Sequence, residues 1–587
     1  MNAAFDQIAE YAARSPMSRS TLRRDSGTPL VLTLLSRFGR TVREWGYTTS
    51  LYSHRLRGRH PGQLLGSPDD PAPGNATLGS AIFGGDMLFE GEQHALKEEF
   101  WIRLDSATPA FRRYAHSFHW LQDLAQVGDQ IKARDAAETI LGWWLPFGED
   151  WFKEAWDAET LARRLINWLT HAPLILSADD LVYRSKVLTS FARQTRHLMR
   201  VWRDTEPGLP RVYSTAALTL CGLLLPGGAS WLNRGAQELE RTLKDFILPD
   251  GGPASRNTAD AIRTMQLLIL VRGAFQERGD DLPAWVQTTL DRIGPFVRAM
   301  RHGDGNFAQF GGVTAEGGHG TNAILAASEA KGKAIENAAH TGFQRIVAGK
   351  ACLIVDAGPP PGGNYAARGH ASTSAFEFSN GQERLIVSVG PASRRGPMPQ
   401  LAKLARTTAA HSALVIGDRN STRLMDDGRL GAGVAETLTI REVMEESVRL
   451  RTTHDGYLKR FGVKHERILE LSSDGTRLKG SDRLFGPKLR KLSGQQVLLR
   501  FHLHPQVKAL KAPDGRITLE TRSGKTWIFD ADGGNAEIED SLYLSRPDRP
   551  EASKQIVVTL SKEGAQRGSG EGTNQPICNW VLSEMNI

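Results

Sequence analysis

The sequence predicts a molecule of two large parts, a ring or solenoid of helical hairpins followed by an antiparallel β-sandwich, and three observations carry that prediction. The chain has 587 residues, more than one hydrophobic core normally supports. From about residue 110 to 335 apolar residues recur at helical spacing. Beyond about residue 340 the period changes to that of strands, with no helical segments between them.

The helical half is read segment by segment. Leu188, Phe191, Thr195, Leu198 and Trp202 form one stripe, with Arg193, Arg196 and Arg200 on other faces. Similar segments are predicted at Phe118–Gln126, Lys132–Trp144, Glu159–Thr170, Ala217–Leu225, Ala236–Phe246, Ala261–Phe275 and Trp285–Met300. Turn signals separate them: Pro146, Pro173, Pro207 with Gly208, Pro226 with Gly227, and Pro249 to Gly252. Helices on short connections pack as antiparallel neighbours. Residues 1–110 are rich in Gly, Pro and Arg and read as an N-terminal arm with the first helices.

In the strand half, Val497, Leu499, Phe501 and Leu503 alternate with Leu498, Arg500, His502 and His504, the pattern of a half-buried strand. Comparable strands are predicted around Arg345–Val355, Arg384–Val389, Ser412–Ile416, Gly456–Leu471, Arg516–Thr521 and Gln555–Leu560. The pairs Asn380-Gly381, Asp474-Gly475, Asp514-Gly515 and Asp532-Gly533 mark turns. The stretch Gly358–Gly363 reads as a loop near a site.

Composition narrows the partners. The formal net charge is +8, which favours a polyanion: nucleic acid, an anionic membrane surface or an acidic polysaccharide. No nucleic-acid module and no dense basic run is present, so an acidic glycan is the preferred partner and nucleic acid is not expected. Cys221, Cys352 and Cys578 are isolated and read as buried thiols. The apolar run Leu30–Leu35 is too short to span a bilayer, and no export signal is visible, so a cytoplasmic location is read from the residues. The sequence sets no oligomeric state.

Several motifs then point one way. They are His116-Ser-Phe-His-Trp-Leu-Gln-Asp-Leu124, Leu248-Pro-Asp-Gly-Gly252 followed by Arg256 and Asn257, and Gly369-His-Ala-Ser-Thr-Ser-Ala-Phe-Glu-Phe378 followed by Thr407-Thr-Ala-Ala-His411. His454-Asp-Gly-Tyr457 through His465 and Phe501-His-Leu-His-Pro505 come later. In this order they resemble the heparinase II/III-like polysaccharide lyases. The resemblance implies an (α/α) toroid at 111–335 and a β-sandwich at 336–587, with a cleft between them. It also implies eliminative cleavage of a uronic-acid-containing glycan, and it admits a periplasmic or envelope location.

Such a reaction needs the uronate carboxylate neutralised, the C5 proton removed and the leaving O4 protonated. A positioned acid or base contributes about 10²- to 10⁴-fold, and fixed donors stabilise the developing charge. His370, before a strand and after a Gly-rich loop, is the leading catalytic candidate; the bland alternative is a structural histidine beside a turn. His411 reads as a substrate-binding or orienting partner, or as a hydrogen-bonded sandwich histidine. Arg256 and Asn257 follow the DGG turn and would reach a carboxylate, although Asn257 equally suits a helix cap. Tyr365 is a candidate proton donor, with packing as its alternative.

Tyr213, a catalytic candidate, and Arg211, a candidate carboxylate binder, stand at the start of a helix after a Pro-Gly turn, about where the resemblance places a neutralising Asn or His, and Asp260 stands where it places a catalytic Tyr. Those departures leave a non-catalytic glycan-binding or surface-polysaccharide assembly role on the same scaffold as one alternative. A glycoside hydrolase using Asp250 and Glu377 is another. The resemblance also raises a structural zinc, but Ser372 stands at a ligand position and is a poor zinc donor, so no firmly bound metal is expected. His116 and His119 read as helix packing, and His502 and His504 as the wet side of a sheet.

Overall fold

The computed structural model describes residues 46–585 except 48, 59–60, 150–152, 315–319, 393–398, 493, 547–548 and 561–576. The Leu30–Leu35 run and most of the expected N-terminal arm lie outside the described residues.

Helix starts follow their caps. Thr108 caps α3 (Pro109–His116), Asp129 caps α5 (Gln130–Phe147), Asp157 caps α6 (Ala158–Thr170) and Asp180 caps α7 (Leu181–Val201). In each case a side-chain oxygen takes an orphan amide of the first turn. Before them come α1 (Ser50–Arg55), α2 (Ala76–Phe83) and the hairpin β1 (Asp86–Phe89) with β2 (Glu92–Ala95); α4 is Trp120–Ala125. After them come α8 (Leu209–Leu224), α9 (Ala229–Phe246), α10 (Thr258–Arg278), α11 (Ala284–Ala299) and α12 (Thr321–Ser328).

Helix α8 begins eight residues earlier than its apolar period predicts, because Gly208 at φ 96° ends the preceding turn and Pro210 suits a first helical turn. Every residue of α8 except Arg211 is buried; it is the hub that α6, α9 and α10 pack around. Pro146, read as a turn, instead lies in the last turn of α5.

A strap of chain ahead of α2 crosses the ends of these helices. Leu65 N donates to Leu224 O at 2.9 Å, Ser67 Oγ to Leu169 O at 2.7 Å, and Asn75 N to Asp123 Oδ1 at 2.8 Å. Gln122 Nε2 donates to Ala72 O at 2.7 Å. The strap is thus part of the toroid.

The sandwich has two antiparallel sheets. One runs in the order β14 (Lys508–Lys511), β15 (Ile517–Glu520), β16 (Thr526–Asp532), β19 (Ile577–Glu584), β12 (Arg477–Phe485), β11 (Lys464–Ser472), β10 (Ser447–His454), β9 (Thr437–Val443). The other runs β17 (Gly534–Arg546), β18 (Arg549–Leu560), β13 (Val497–Leu503), β7 (Glu383–Val387), β6 (Phe376–Asn380), β5 (Ala351–Asp356), β4 (Phe343–Ala348), β3 (Asn337–Ala338), with β8 (Leu414–Ile416) also pairing β13. Leu353, Phe378, Leu469, Trp527 and Trp580 fill the space between them, and the Phe376 and Trp580 rings stack at 5.5 Å. Gly381, Gly475, Gly515 and Gly533 all take positive φ at the predicted turns. Before β11 the chain forms a short helix, Leu458–Phe461, where the sequence suggested continuous strand.

Strand β13 corrects a second expectation. All its residues are buried, because one face meets the facing sheet and the other meets further structure. His502 therefore does not lie on a wet face: its ring joins Ser541 Oγ and Ala409 O, both at 2.8 Å. The toroid and sandwich share one core, since Phe343, Cys352, Ile354 and Ala375 cluster with toroid residues. Arg384 strengthens the junction by pairing with Asp304 at 2.9 Å.

Candidate functional site

The sequence-predicted site residues fall into two groups, and most belong to the toroid–sandwich junction. His370 and His411 meet, Nδ1 to Nε2 at 3.2 Å, and are 5 % and 0 % exposed. Burial lowers both pKa values, His411 to about 4; for His370, His411 and Arg406 add to the effect. Both rings are neutral at neutral pH. His370 Nε2 lies against Gly312, where an added Cβ would stand 3.3 Å from it and 3.7 Å from Asn257 Nδ2. His370 and Asn257 thus come together over a glycine that the sequence reading missed. Gly312 itself sits at φ 87°, a backbone that side-chain-bearing residues rarely adopt.

The expected carboxylate binders are engaged elsewhere. Arg256, at φ 57°, donates to Thr341 O at 2.6 Å, Pro359 O at 2.8 Å and Asp356 Oδ1 at 2.6 Å. It braces the DGG turn against the sandwich and presents no free edge to a ligand. Asn257 caps α10 by accepting from Ala259 N at 2.8 Å, so its cap reading is the one observed. Arg211 donates to Thr205 Oγ1 at 3.0 Å, Arg203 O at 3.0 Å and Thr205 O. Tyr365 packs on Phe246 at 5.9 Å, and burial raises its pKa. Asp260, at the position the resemblance gives to a Tyr, is buried and accepts from Ser255 Oγ at 2.7 Å.

The paired-carboxylate alternative is corrected too. Asp250 Oδ2 accepts from His340 N and Thr341 N, 2.8 and 2.7 Å away, stitching toroid to sandwich. Glu377 is 0 % exposed and accepts from Gln309 N and Ser388 N at 2.9 and 3.1 Å. Neither acid faces a space that would hold a glycosidic bond. A structural zinc does not fit the donors here: Ser372 Oγ donates to Asp356 Oδ2 at 2.6 Å, and among the described residues no group of three His, Cys, Asp or Glu is placed to hold a metal.

The second group surrounds a cavity of about 360 Å³ inside the toroid, lined from α3, α4, α6, α8, α10, the strap and the β1–β2 turn. Of the residues singled out for catalysis or substrate binding, Tyr213 alone lines it; Arg113, Arg163, Arg263, Asn167 and His119 join it. The Arg163 guanidinium lies 3.7 Å from the centre of the Tyr213 ring, close enough for cation–π attraction. Its charge is also shared with Glu159 at 2.7 Å.

His119 was read as packing; its ring meets the Tyr114 ring edge-on at 6.1 Å but also lines the cavity, whereas His116 is wholly packed. His116 stacks on Trp101 and Phe147 at 5.3 and 5.6 Å and accepts from Trp144 Nε1 at 3.3 Å. Between them Phe118 takes φ 58°, a left-handed conformation costing a bulky residue about 1–3 kcal/mol. Its ring is boxed by Trp120, Trp144 and Trp168 at 5.1 to 5.5 Å. Arg164 Nη1 holds His116 O at 2.8 Å and Asn167 Nδ2 holds Ser117 O at 2.9 Å. The strained turn aims His119 at the cavity, where its ring has no hydrogen-bond partner among the described residues. Burial, then Arg263 and Arg163, push its pKa down to about 3, so it faces the cavity as a neutral imidazole. No residue spacing announces this, because the left-handed turn breaks the helical period that would place His119.

A helical toroid followed by a two-sheet sandwich defines a fold class that includes heparinase III. A heparinase III structure superposes with a TM-score of 0.63 at 13 % identity, covering 82 % of this chain and 78 % of its own. A mutant of the heparan sulfate lyase HepC from Pedobacter heparinus gives 0.60 at 14 % identity, covering 96 % and 91 %. At such identities these matches speak for the fold. The chain is similar to the heparinase II/III-like family over its C-terminal part: residues 330–575 match the family's domain "Heparinase II/III-like, C-terminal". It is also 28 % identical over 523 residues to FtsZ-localized protein C of Caulobacter vibrioides, covering 86 % of this chain and 89 % of that one. Among the described residues no helix is long and apolar enough to cross a membrane.

Proposed function

We propose that this protein binds a unit of an acidic saccharide in the toroid cavity and does so without eliminative cleavage, as a binding member of a lyase family. One observation carries the reading: the side chains elimination would need at the junction are consumed by structural bonds, Arg256 to Asp356 at 2.6 Å foremost, while the arginines stand around an open cavity. The relative from Caulobacter supports it, since its name describes a location rather than a reaction. Calorimetric titration with short uronic-acid oligosaccharides tests it, run beside ultraviolet absorbance for an unsaturated uronate. Saturable binding without new absorbance is expected; absence of binding sinks the reading.

A second reading is favoured by the same cavity. Tyr213 and the neutral His119 both face it beside Arg163 and Arg263, so the cavity holds an acid, a base and carboxylate donors of the kind elimination requires. Growth of absorbance in the wild type, lost in Tyr213→Phe, would establish this reading in place of the first.

A further inference from the structure

The two ends of the ring are closed differently. Helices α8 and α10 start on the sandwich side: a Cβ added at Gly208, just before α8, would stand 2.8 Å from the Tyr365 ring, and Asn257, just before α10, meets His370 over Gly312. The other ends of the inner helices meet the strap. Leu65 N donates to Leu224 O at the end of α8, Ser67 Oγ donates to Leu169 O at the end of α6, and a Cβ added at Gly66 would collide with the Glu277 carboxylate at the end of α10. Further along, Gln266 Nε2 of α10 donates to Asp70 at 2.7 Å, and Gln122 Nε2 of α4 to Ala72 O at 2.7 Å. Asp70, Gln122 and Gln266 all line the cavity. The strap, bonded to α4, α6, α8 and α10, is therefore its floor.

No described residue of the sandwich lines the cavity, so the sandwich side is the way in. The sandwich loop there follows the short turn Gly363–Tyr365, whose Tyr365 packs on Phe246 of the ring. Arg368 of this loop is exposed, and its guanidinium has no hydrogen-bond or ion-pair partner among the described residues. Asp260 relates it to the cavity. Burial raises the pKa of that carboxyl, the Ser255 bond opposes the rise, and the charges that act next are Arg368, then Arg163 and Glu159 of the cavity wall. Arg368 thus stands at the rim above Arg163.

Resting on the proposed acidic-saccharide site, we infer that the cavity takes the end of a saccharide chain, entering from the sandwich side, and that Arg368 holds the carboxylate of the unit left outside the mouth. An interior unit continues in two directions and needs two ways out. The strap leaves one. The cavity, at about 360 Å³, is at the small end of the usual ligand-site range, which suits a chain end and not a run of units.

The test is calorimetric titration of the full chain with uronic-acid saccharides of increasing length, from the glucuronate monosaccharide through the disaccharide to the polymer. One protein is expected per saccharide chain at every length, because each chain offers a single end of the right polarity. A number bound that grows with chain length overturns end recognition and leaves the saccharide site standing. Arg368→Ala should weaken the disaccharide about tenfold, the loss of one charge-assisted contact, while the affinity for the monosaccharide and the thermal melt stay as in the wild type. Unchanged disaccharide affinity overturns the role of Arg368. If no saccharide of any length binds, the site itself falls, and this inference with it.

Discussion

His411 and His119 are both held neutral by burial, with pKa values of about 4 and about 3, yet they stand in opposite kinds of place. At the junction, His411 faces His370, and each nearby charged group has a fixed partner: Arg256 with Asp356, Arg384 with Asp304. In the toroid cavity, His119 stands on the wall with Arg113, Arg163 and Arg263. A polar group buried with its partners is architecture; the same group left facing a cavity is available to a ligand. The junction is therefore the joint that sets the ring against the sandwich, and the cavity is the site proposed for the ligand.

That contrast is breakable. Arg256→Ala is expected to have the largest effect: it strands Asp356 in the interior, and loss of one partner of a buried pair costs about 3–5 kcal/mol. Urea denaturation measures it; a variant with unchanged midpoint and weakened saccharide binding would return Arg256 to the site.

Acid should act next. His411 has a folded pKa of about 4, below its ordinary 6.5, so the unfolded chain binds the proton more readily. Its contribution to stability is present in full above pH 6.5 and is lost as pH falls toward 4, at up to about 1.4 kcal/mol per pH unit. His119, His116 and His502, each lowered to about 3, act in the same direction. Thermal melts from pH 7.5 to 5 should fall steadily, and a flat profile would show that these rings are not buried neutral.

His370→Ala comes third. Loss of a buried ring and its bond to His411 is expected to lower stability by about 1–3 kcal/mol and to leave saccharide affinity unchanged. This reverses the sequence expectation of a catalytic loss with little cost in stability. Abolished function at undiminished stability would restore the junction as the active centre.

Arg263→Ala should leave stability within about 0.5 kcal/mol and weaken saccharide binding about tenfold, the loss of one charge-assisted contact. Its smallness in stability is the point of comparison with Arg256→Ala. Calorimetry that shows no change would remove Arg263 from the cavity's binding wall.

Much of the fold was readable because it is written in local patterns. The period of 3.6 marked the toroid helices from α5 to α11, and Asn257 was a cap candidate at the start of α10. The Asn380-Gly381 and Asp514-Gly515 turns marked hairpins that form as predicted. The misreadings share one cause. Alternation along β13 looked half-wet, yet both its faces are covered; Pro146 looked like a stop, yet it falls in a last turn. In each case a neighbour supplied by the fold changed what the local pattern meant.

The site was less legible. Tyr213 was named for its place after a Pro-Gly turn and does line the cavity. His119 was passed over because an HxFxW helix of aromatic residues normally packs, and nothing in the sequence shows that Phe118 turns left-handed. Arg256 was read as a binder because an arginine after a Gly-Gly turn looks exposed, whereas Asp356, a hundred residues on, closes over it.

The sequence by itself determined the two-part architecture, the toroid helices, the hairpin turns and an excess of positive charge, since these depend on neighbours within a few positions. Only the tertiary structure decided which histidines and arginines are spent on the joint and which face a cavity. That choice depends on partners far apart along the chain, such as Gln266 with Asp70 or His370 with His411, brought together as the chain folds.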